Sequence, residues 1–193
     1  MNLPNCLTVS RIFLTFVFVF LISFNTLFST ILAALVFWVA SLTDYLDGRI
    51  AQRRKLITTF GKIMDPIADK ILMLSAFVVF MQMGVIAFWM VVIIVLREVF
   101  VTVSRLLAMR SGLVLAAEKL GKIKTVLQIV AASLILIFLI LEKSFFQTPN
   151  WYNIEDVFLG LINIIMFATV GITLVSGISY FKQKRKMRTA EIN

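Results

Sequence analysis

The chain has no histidine and a single cysteine, Cys6. The first absence excludes His-based acid–base catalysis and His-ligated zinc, so any general base is a carboxylate, a lysine, a tyrosine or that one thiol. The second excludes an internal disulfide, and a lone thiol is a poor basis for a metal site. Charge is sparse as well. No Asp, Glu, Lys or Arg occurs between Ile12 and Thr43, and charged residues make up 15% of a chain that is 61% hydrophobic, with mean hydropathy +1.00. Soluble domains are about 45–50% apolar, so the surplus calls for lipid. The charge-free run is too long for one span of roughly 20 residues and fits two tilted ones. The N-terminus lacks a basic segment ahead of its first apolar stretch and a small-residue cleavage pattern after it, and it reads as retained rather than as a signal peptide. There is no internal repeat, low-complexity tract or soluble second domain, so residues 1–193 are expected to form a single membrane domain.

The apolar pattern predicts an all-α polytopic membrane protein with six transmembrane helices. A short interfacial helix starting near Pro4 is expected within residues 1–11. The first span then runs to about residue 24, and the others cover about 31–47, 65–81, 86–109, 125–141 and 157–180. Asn25, Thr26, Ser29 and Thr30 form a polar break between the first two. The net charge is +9, and its distribution fixes orientation rather than suggesting nucleic acid, since no soluble basic domain exists to carry such binding. One set of connections holds Arg49, Arg53, Arg54, Lys55 and Lys62, then the basic segment 110–124, then the tail 181–193 with Lys182, Lys184, Arg185, Lys186 and Arg188. The opposite set holds only Lys143. Both termini and both basic loops are therefore expected on the cytoplasmic side of the cell's inner membrane.

The chain has ten acidic residues, and four of them, Asp44, Asp47, Asp65 and Asp69, fall within 26 positions. Asp44 and Asp47 are three apart and Asp65 and Asp69 four apart, so each pair shares a helix face. Both pairs lie where an apolar span meets the same basic loop, which brings them to one membrane depth. An ionised Asp at the centre of a spanning helix costs on the order of 2.5–3.5 kcal/mol, and four together repel one another. Two hard divalent cations, Mg²⁺ or Mn²⁺, are the natural compensation, and such pairs of ions organise chemistry on phosphates. Helix capping is the plainer explanation. Asp65 before Pro66 has the form of an N-cap, but Asp44 and Asp47 sit near an expected helix C-terminus, where the dipole disfavours anions. Salt bridges to Arg49, Arg53 or Lys70 are the other plain explanation.

The run Asp44-Tyr-Leu-Asp47-Gly48-Arg49-Ile50-Ala51, followed by Gly61-Lys-Ile-Met-Asp65-Pro-Ile-Ala-Asp69, resembles the CDP-alcohol phosphatidyltransferase motif D-x2-D-G-x2-A-R-x8-G-x3-D-x3-D. One of the eight fixed positions departs, because the motif's Arg falls on Gln52, with Arg53 next to it. Either Arg53 or Arg49 substitutes for it, or phosphate binding is weaker. The resemblance implies that Asp44, Asp47, Asp65 and Asp69 hold two Mg²⁺ or Mn²⁺ ions. It implies that Asp69 is also the general base on the incoming alcohol. It sets Gly48, Ala51, Gln52, Arg53 and Gly61 around the nucleotide; the two glycines leave room for close approach, though each alone also suits ordinary helix packing.

A second set is basic. Arg97 and Arg105 are about two helical turns apart on roughly one face, within the fourth apolar span, where arginine is costly and usually functional. Lys119, Lys122 and Lys124 follow at the entrance of the fifth. Together they could form a phosphate pocket, with Arg as a fork and Lys as a point charge. Lys119 is equally well read as a solvated or headgroup cation, and Glu98 as the partner of a neighbouring arginine. The stretches 97–105 and 121–125, and the opening 2–11, resemble the bacterial phosphatidylglycerolphosphate synthase branch of that family. The resemblance implies CDP-diacylglycerol as donor, sn-glycerol 3-phosphate as acceptor, with Arg97, Arg105, Lys122 and Lys124 on its phosphate, membrane lipids around the chain, and a homodimer. The competing readings are the same chemistry on inositol phosphate, serine or phosphatidylglycerol, a cation transporter, and a non-catalytic scaffold. A transporter would spread its acids across the membrane depth, whereas these four collect at one face.

Overall fold

The computed structural model describes the backbone of residues 3–54, 59–110, 119–145 and 151–192, with side chains for 9–43, 68, 70–107, 121–145 and 154–182. Among the described residues it is all-helical, with no strand. The six helices are α1 (Leu3–Ser23), α2 (Leu27–Arg54), α3 (Thr59–Gln82), α4 (Phe88–Arg110), α5 (Lys119–Phe145) and α6 (Trp151–Ile192).

Local chemistry explains the two described turns. Between α1 and α2, Asn25 takes φ 53°, a left-handed conformation that Asn tolerates better than most residues. Thr26 then caps α2. Its Oγ1 accepts from the Ser29 amide at 3.2 Å, and Ser29 Oγ accepts from the Thr26 amide at 3.2 Å, a reciprocal capping box with Ser at the third helical position. Only 24–26 breaks the helix; Ser29 and Thr30 belong to the first turn of α2. At the end of α3, Gly84 adopts φ 78°. Its amide donates to Met81 O at 3.0 Å, and the Val85 amide donates to Phe80 O at 3.0 Å, a Schellman closure that satisfies the last carbonyls of α3.

The helices alternate in direction. Phe18 of α1 meets Phe37 of α2 and Phe80 of α3, with ring centroids 5.8 and 6.5 Å apart. Lys143 near the end of α5 donates to Asn25 in the α1–α2 turn. Trp38 Nε1 of α2 donates to Ser133 Oγ of α5 at 3.1 Å. Helix α6 runs parallel to α4, with Trp89 against Phe167 and, further along both, Phe100 against Phe181. The centre is filled by Phe18, Phe37, Phe77 and Phe80 with Ala33, Ala34, Ala76, Ala131 and Ala132. The alanines let neighbouring backbones come close, the usual packing device in membranes.

The outer surface is apolar. Phe13, Phe16, Phe20, Phe28, Phe88, Ile164 and Phe167 are exposed, while Thr15, Thr30, Gln128, Thr169, Thr173 and Ser176 are buried. That inside-out distribution suits lipid. Among the described residues, Gly121–Phe145 and Ile154–Lys182 are long and apolar enough to cross a bilayer, and Val9–Ser23, Leu27–Thr43 and Lys70–Gln82 are shorter apolar stretches.

The helices overrun the boundaries expected from the sequence. Pro4 lies at the second residue of α1, where its missing N–H is tolerated, and α1 continues unbroken to Ser23. The expected interfacial helix is therefore the start of α1 and not a separate element. Helix α2 passes through Asp47 to Arg54 and α3 begins at Thr59, so most of the expected basic loop at 48–64 is helical. Asp65 lies inside α3 and is not its N-cap, and Asp44 and Asp47 are interior to α2. Helix α6 carries the basic tail as helix to Ile192. Arg, Lys, Gln and Ala are good helix formers, so a change from apolar to charged sequence ends the apolar stretch without ending the helix.

Beyond its chain neighbours, a methyl group at Gly84 would meet nothing within 4 Å, so its replacement acts through φ alone. Gly84→Ala is expected to lower stability by about 1–2 kcal/mol, read as a lower apparent melting temperature in detergent. Gly160→Ala, in open space on α6, should leave it unchanged or raise it.

Candidate active site

The described part of the site is built around one carboxylate. Glu98, in the middle of α4, is 2% exposed. Lys70 of α3 donates to its Oε2, Lys124 of α5 donates to Oε1, and Arg97 Nη1 donates to Oε1 at 3.1 Å. Arg97 also reaches the other way, donating from Nη2 to Ser176 Oγ of α6. Four helices thus meet at one pair of adjacent residues on α4. Side-chain exposure falls from 31% for Lys70 through 12% for Arg97 to 2% for Lys124, so the cluster opens on the Lys70 side.

Burying a single ion carries a penalty of several kcal/mol, and mutual attraction offsets it only with good geometry and satisfied hydrogen bonds. Glu98 supplies that for three cations at once. Among the described residues the cluster holds three positive groups and one negative, a surplus of +2. Arg97 Nε is buried and has no hydrogen-bond partner among the described residues, so one donor of its fork is unused.

Register brings the aspartates to the same level. Helices α2 and α5 are antiparallel and touch at Trp38 and Ser133. Nine residues further along α2 is Asp47, and nine residues back along α5 is Lys124, so the two positions are level. On α3, Asp69 immediately precedes Lys70, and Asp65 is one turn nearer the Thr59 end. The backbone positions of both aspartate pairs therefore share a layer with the Glu98 cluster. Their side chains, and those of Gly48, Ala51, Gln52, Arg53 and Gly61, lie outside the described residues. Carboxylate is the donor type that suits hard divalent cations, and among the described residues no three acidic side chains come together.

Of the four cations expected on the acceptor phosphate, the structure brings Arg97 and Lys124 together. Arg105 and Lys122 are exposed, and neither forms an ion pair among the described residues. Glu98 does pair with neighbouring Arg97, as expected, and also with Lys70 and Lys124. Lys70 and Ser176 were not anticipated as parts of the cluster. Lys70 bridges to Glu98; the aspartates, its expected partners, have side chains outside the described residues. One signal was available: a lone acid in the apolar α4 requires compensation, and one adjacent arginine is a strained way to provide it.

Ser176→Ala removes the acceptor for Arg97 Nη2 inside the bundle. A hydrogen bond to a charged group is worth about 1.5–3 kcal/mol, so the apparent melting temperature in detergent should fall. Ser176→Thr, which keeps the hydroxyl, should recover most of the loss.

Comparison with known proteins identifies what the chain is similar to. The family model described as CDP-alcohol phosphatidyltransferase matches residues 1–176. A CDP-diacylglycerol–glycerol-3-phosphate 3-phosphatidyltransferase of Bacillus subtilis is 35% identical, over 94% of each chain. One of the same name from Rickettsia bellii is 32% identical over 96% of each. A probable phosphatidylglycerophosphate synthase of Mycobacterium tuberculosis is 32% identical over 93% of this chain and 79% of that one.

Proposed function

The chain belongs to the CDP-alcohol phosphatidyltransferase family, and from that premise we propose that it transfers the phosphatidyl group of CDP-diacylglycerol to sn-glycerol 3-phosphate, releasing CMP and forming phosphatidylglycerolphosphate. The observation that carries the reading is the convergence of Lys70, Arg97 and Lys124 on buried Glu98, beside the α2 and α3 segments that carry the aspartates. Relatives named for this reaction, similar over nearly the whole chain, support the choice of donor and acceptor.

In this reading Asp44, Asp47, Asp65 and Asp69 hold two divalent cations, Mg²⁺ or Mn²⁺. When bound, those ions supply positive charge to the donor's diphosphate and to the departing CMP. Asp69 accepts the proton of the acceptor hydroxyl. The hydroxyl oxygen forms a bond to the phosphorus that carries the lipid, the bond from that phosphorus to the CMP oxygen breaks, and CMP leaves with the electron pair. A carboxylate among cations is a weak base, but it needs to take the proton only as the new P–O bond forms. Gly48, Ala51, Gln52, Arg53 and Gly61 bound the nucleotide. Arg97, Arg105, Lys122 and Lys124 provide the field that draws the acceptor phosphate in. Within that set Arg97 is the direct candidate, Lys124 acts from behind through Glu98, and exposed Arg105 and Lys122 serve at the mouth.

All six helices cross the bilayer in this reading, the shorter apolar ones being completed by their charged helical extensions near the headgroups. The basic ends of α2, α3, α4, α5 and α6 face the cytoplasm of the inner membrane. A homodimer is the assembly the family resemblance implies. A neutral acceptor is the second reading, and the convergence of Arg97, Lys70 and Lys124 on Glu98 argues against it.

Purified protein with CDP-diacylglycerol should release CMP with glycerol 3-phosphate and not with serine, inositol phosphate or phosphatidylglycerol. Asp69→Asn should lower turnover by about 10²–10⁴-fold, the usual contribution of a general base. Charge reversal by Arg97→Glu should abolish use of glycerol 3-phosphate, and release of CMP with a neutral alcohol alone would overturn the acceptor assignment. Removal of divalent ions by a chelator should stop the reaction, and Mg²⁺ or Mn²⁺ should restore it; activity that survives exhaustive chelation would refute the two-ion site.

A further inference from the structure

We propose that Glu98 is a positioning residue for the acceptor, and that Lys70, which it holds at the open side of the cluster, is a further cation of the acceptor-phosphate pocket. This rests on the reaction proposed above and deepens its acceptor half.

Glu98 does not reach the substrate. It is 2% exposed, and both its oxygens are occupied, Oε2 by Lys70 and Oε1 by Lys124 and Arg97. Its effect is on where those cations sit. Three cations on three helices would repel one another without an anion between them, and Lys124, at 2% side-chain exposure, has no route to water. With Glu98 in place they form one body with a surplus of +2, which matches the charge of a phosphate monoester, about −1.5 to −2 near neutral pH.

The members differ in what they have left to offer. Lys124 is enclosed. Arg97 gives Nη1 to Glu98 and Nη2 to Ser176, and its Nε has no partner among the described residues. Lys70 is the most exposed of the three at 31%, and its ammonium carries three donors, one of which goes to Glu98. Lys70 also follows Asp69 directly on α3. A cation there sits next to the residue proposed to take the hydroxyl proton, as a small acceptor with phosphate and hydroxyl on one three-carbon skeleton requires.

The test is steady-state kinetics on the purified full-length protein in mixed micelles, with glycerol 3-phosphate and CDP-diacylglycerol varied in turn. Glu98→Gln is expected to raise the KM for glycerol 3-phosphate by about ten-fold or more while the KM for CDP-diacylglycerol changes by less than about two-fold. Glu98→Asp, which keeps the charge, should recover most of the acceptor KM. A purely structural carboxylate would lower the active fraction, and hence apparent kcat, with both KM values unchanged, and that result overturns the proposal. A lower acceptor KM in Glu98→Gln also overturns it, since Glu98 would then be competing with the phosphate. Should Glu98→Gln fail to fold, Lys70→Met decides, because Lys70 is the most exposed member and its loss leaves Glu98 paired with Arg97 and Lys124. A raised acceptor KM is expected, and an unchanged one refutes the role of Lys70 and of the residue that holds it. A wild-type protein that releases no CMP with glycerol 3-phosphate would sink the reaction itself; an active wild type with unresponsive variants would sink only this inference.

Discussion

Ionic groups in an apolar bundle have to neutralise one another, and in this chain that requirement converges on Glu98. A carboxylate and an ammonium, Glu98 and Lys124, are almost wholly enclosed, and Arg97 is nearly so. Each alone would face a desolvation penalty of several kcal/mol. Together they are tolerable only while α3, α4 and α5 keep the alignment that brings Lys70, Glu98 and Lys124 into contact, and Arg97 extends that alignment to α6 through Ser176. Ion pairs of this sort contribute little net stability compared with apolar packing of the same volume. Their consequence is specificity of register. A one-residue slide of α4 against α5 would part the two enclosed charges, Glu98 and Lys124, whereas the Phe and Ala contacts in the centre would tolerate repacking.

The remaining helices are held by different means. Helices α1 and α2 join the bundle through Phe18, Phe37 and Phe80 and through a capped turn, with Trp38 and Ser133 setting the register of α2 against α5. That single hydrogen bond has a long reach. Because helices rise uniformly at about 1.5 Å per residue, it determines that Asp47 is level with Lys124. The depth of the acidic positions is thus inherited from a contact more than two turns away.

Some of this was legible in the sequence. The spacing of Asp44, Asp47, Asp65 and Asp69 specified two helix faces, and the long charge-free run specified a membrane class. Helix ends are less legible, because the onset of charge marks the edge of the hydrocarbon, while Arg49, Ala51, Gln52 and Arg53 continue the helix readily. The Glu98 cluster was only half visible. Its pairing with Arg97 could be read from adjacency. Its pairing with Lys70 and Lys124 depends on the relative slide of three helices, and a single sequence carries no register between distant segments. Arg105 and Lys122 were grouped with Arg97 by periodicity and proximity in sequence, which does not distinguish an enclosed position from one at the rim.

Sign changes within one peptide unit on α3. Consecutive helix positions are about 100° apart around the axis, so Asp69 and Lys70 occupy different sectors of the same turn. The Lys70 sector meets Glu98, which in turn holds Arg97 and Lys124; the Asp69 position belongs, through Asp65 four residues before it, to the acidic face. A rigid helix that carries the end of one set and the start of the other fixes the distance between them to within a turn. On the proposed reaction that distance selects the acceptor. A molecule whose phosphate is held by the cations presents its hydroxyl to the carboxylates only if the two groups are a few bonds apart. A longer phosphate-bearing alcohol would overshoot, and a neutral one would leave the +2 surplus unanswered. Size and charge discrimination would then follow from one segment of α3, with Glu98 as the anion that keeps the cationic side of that segment assembled.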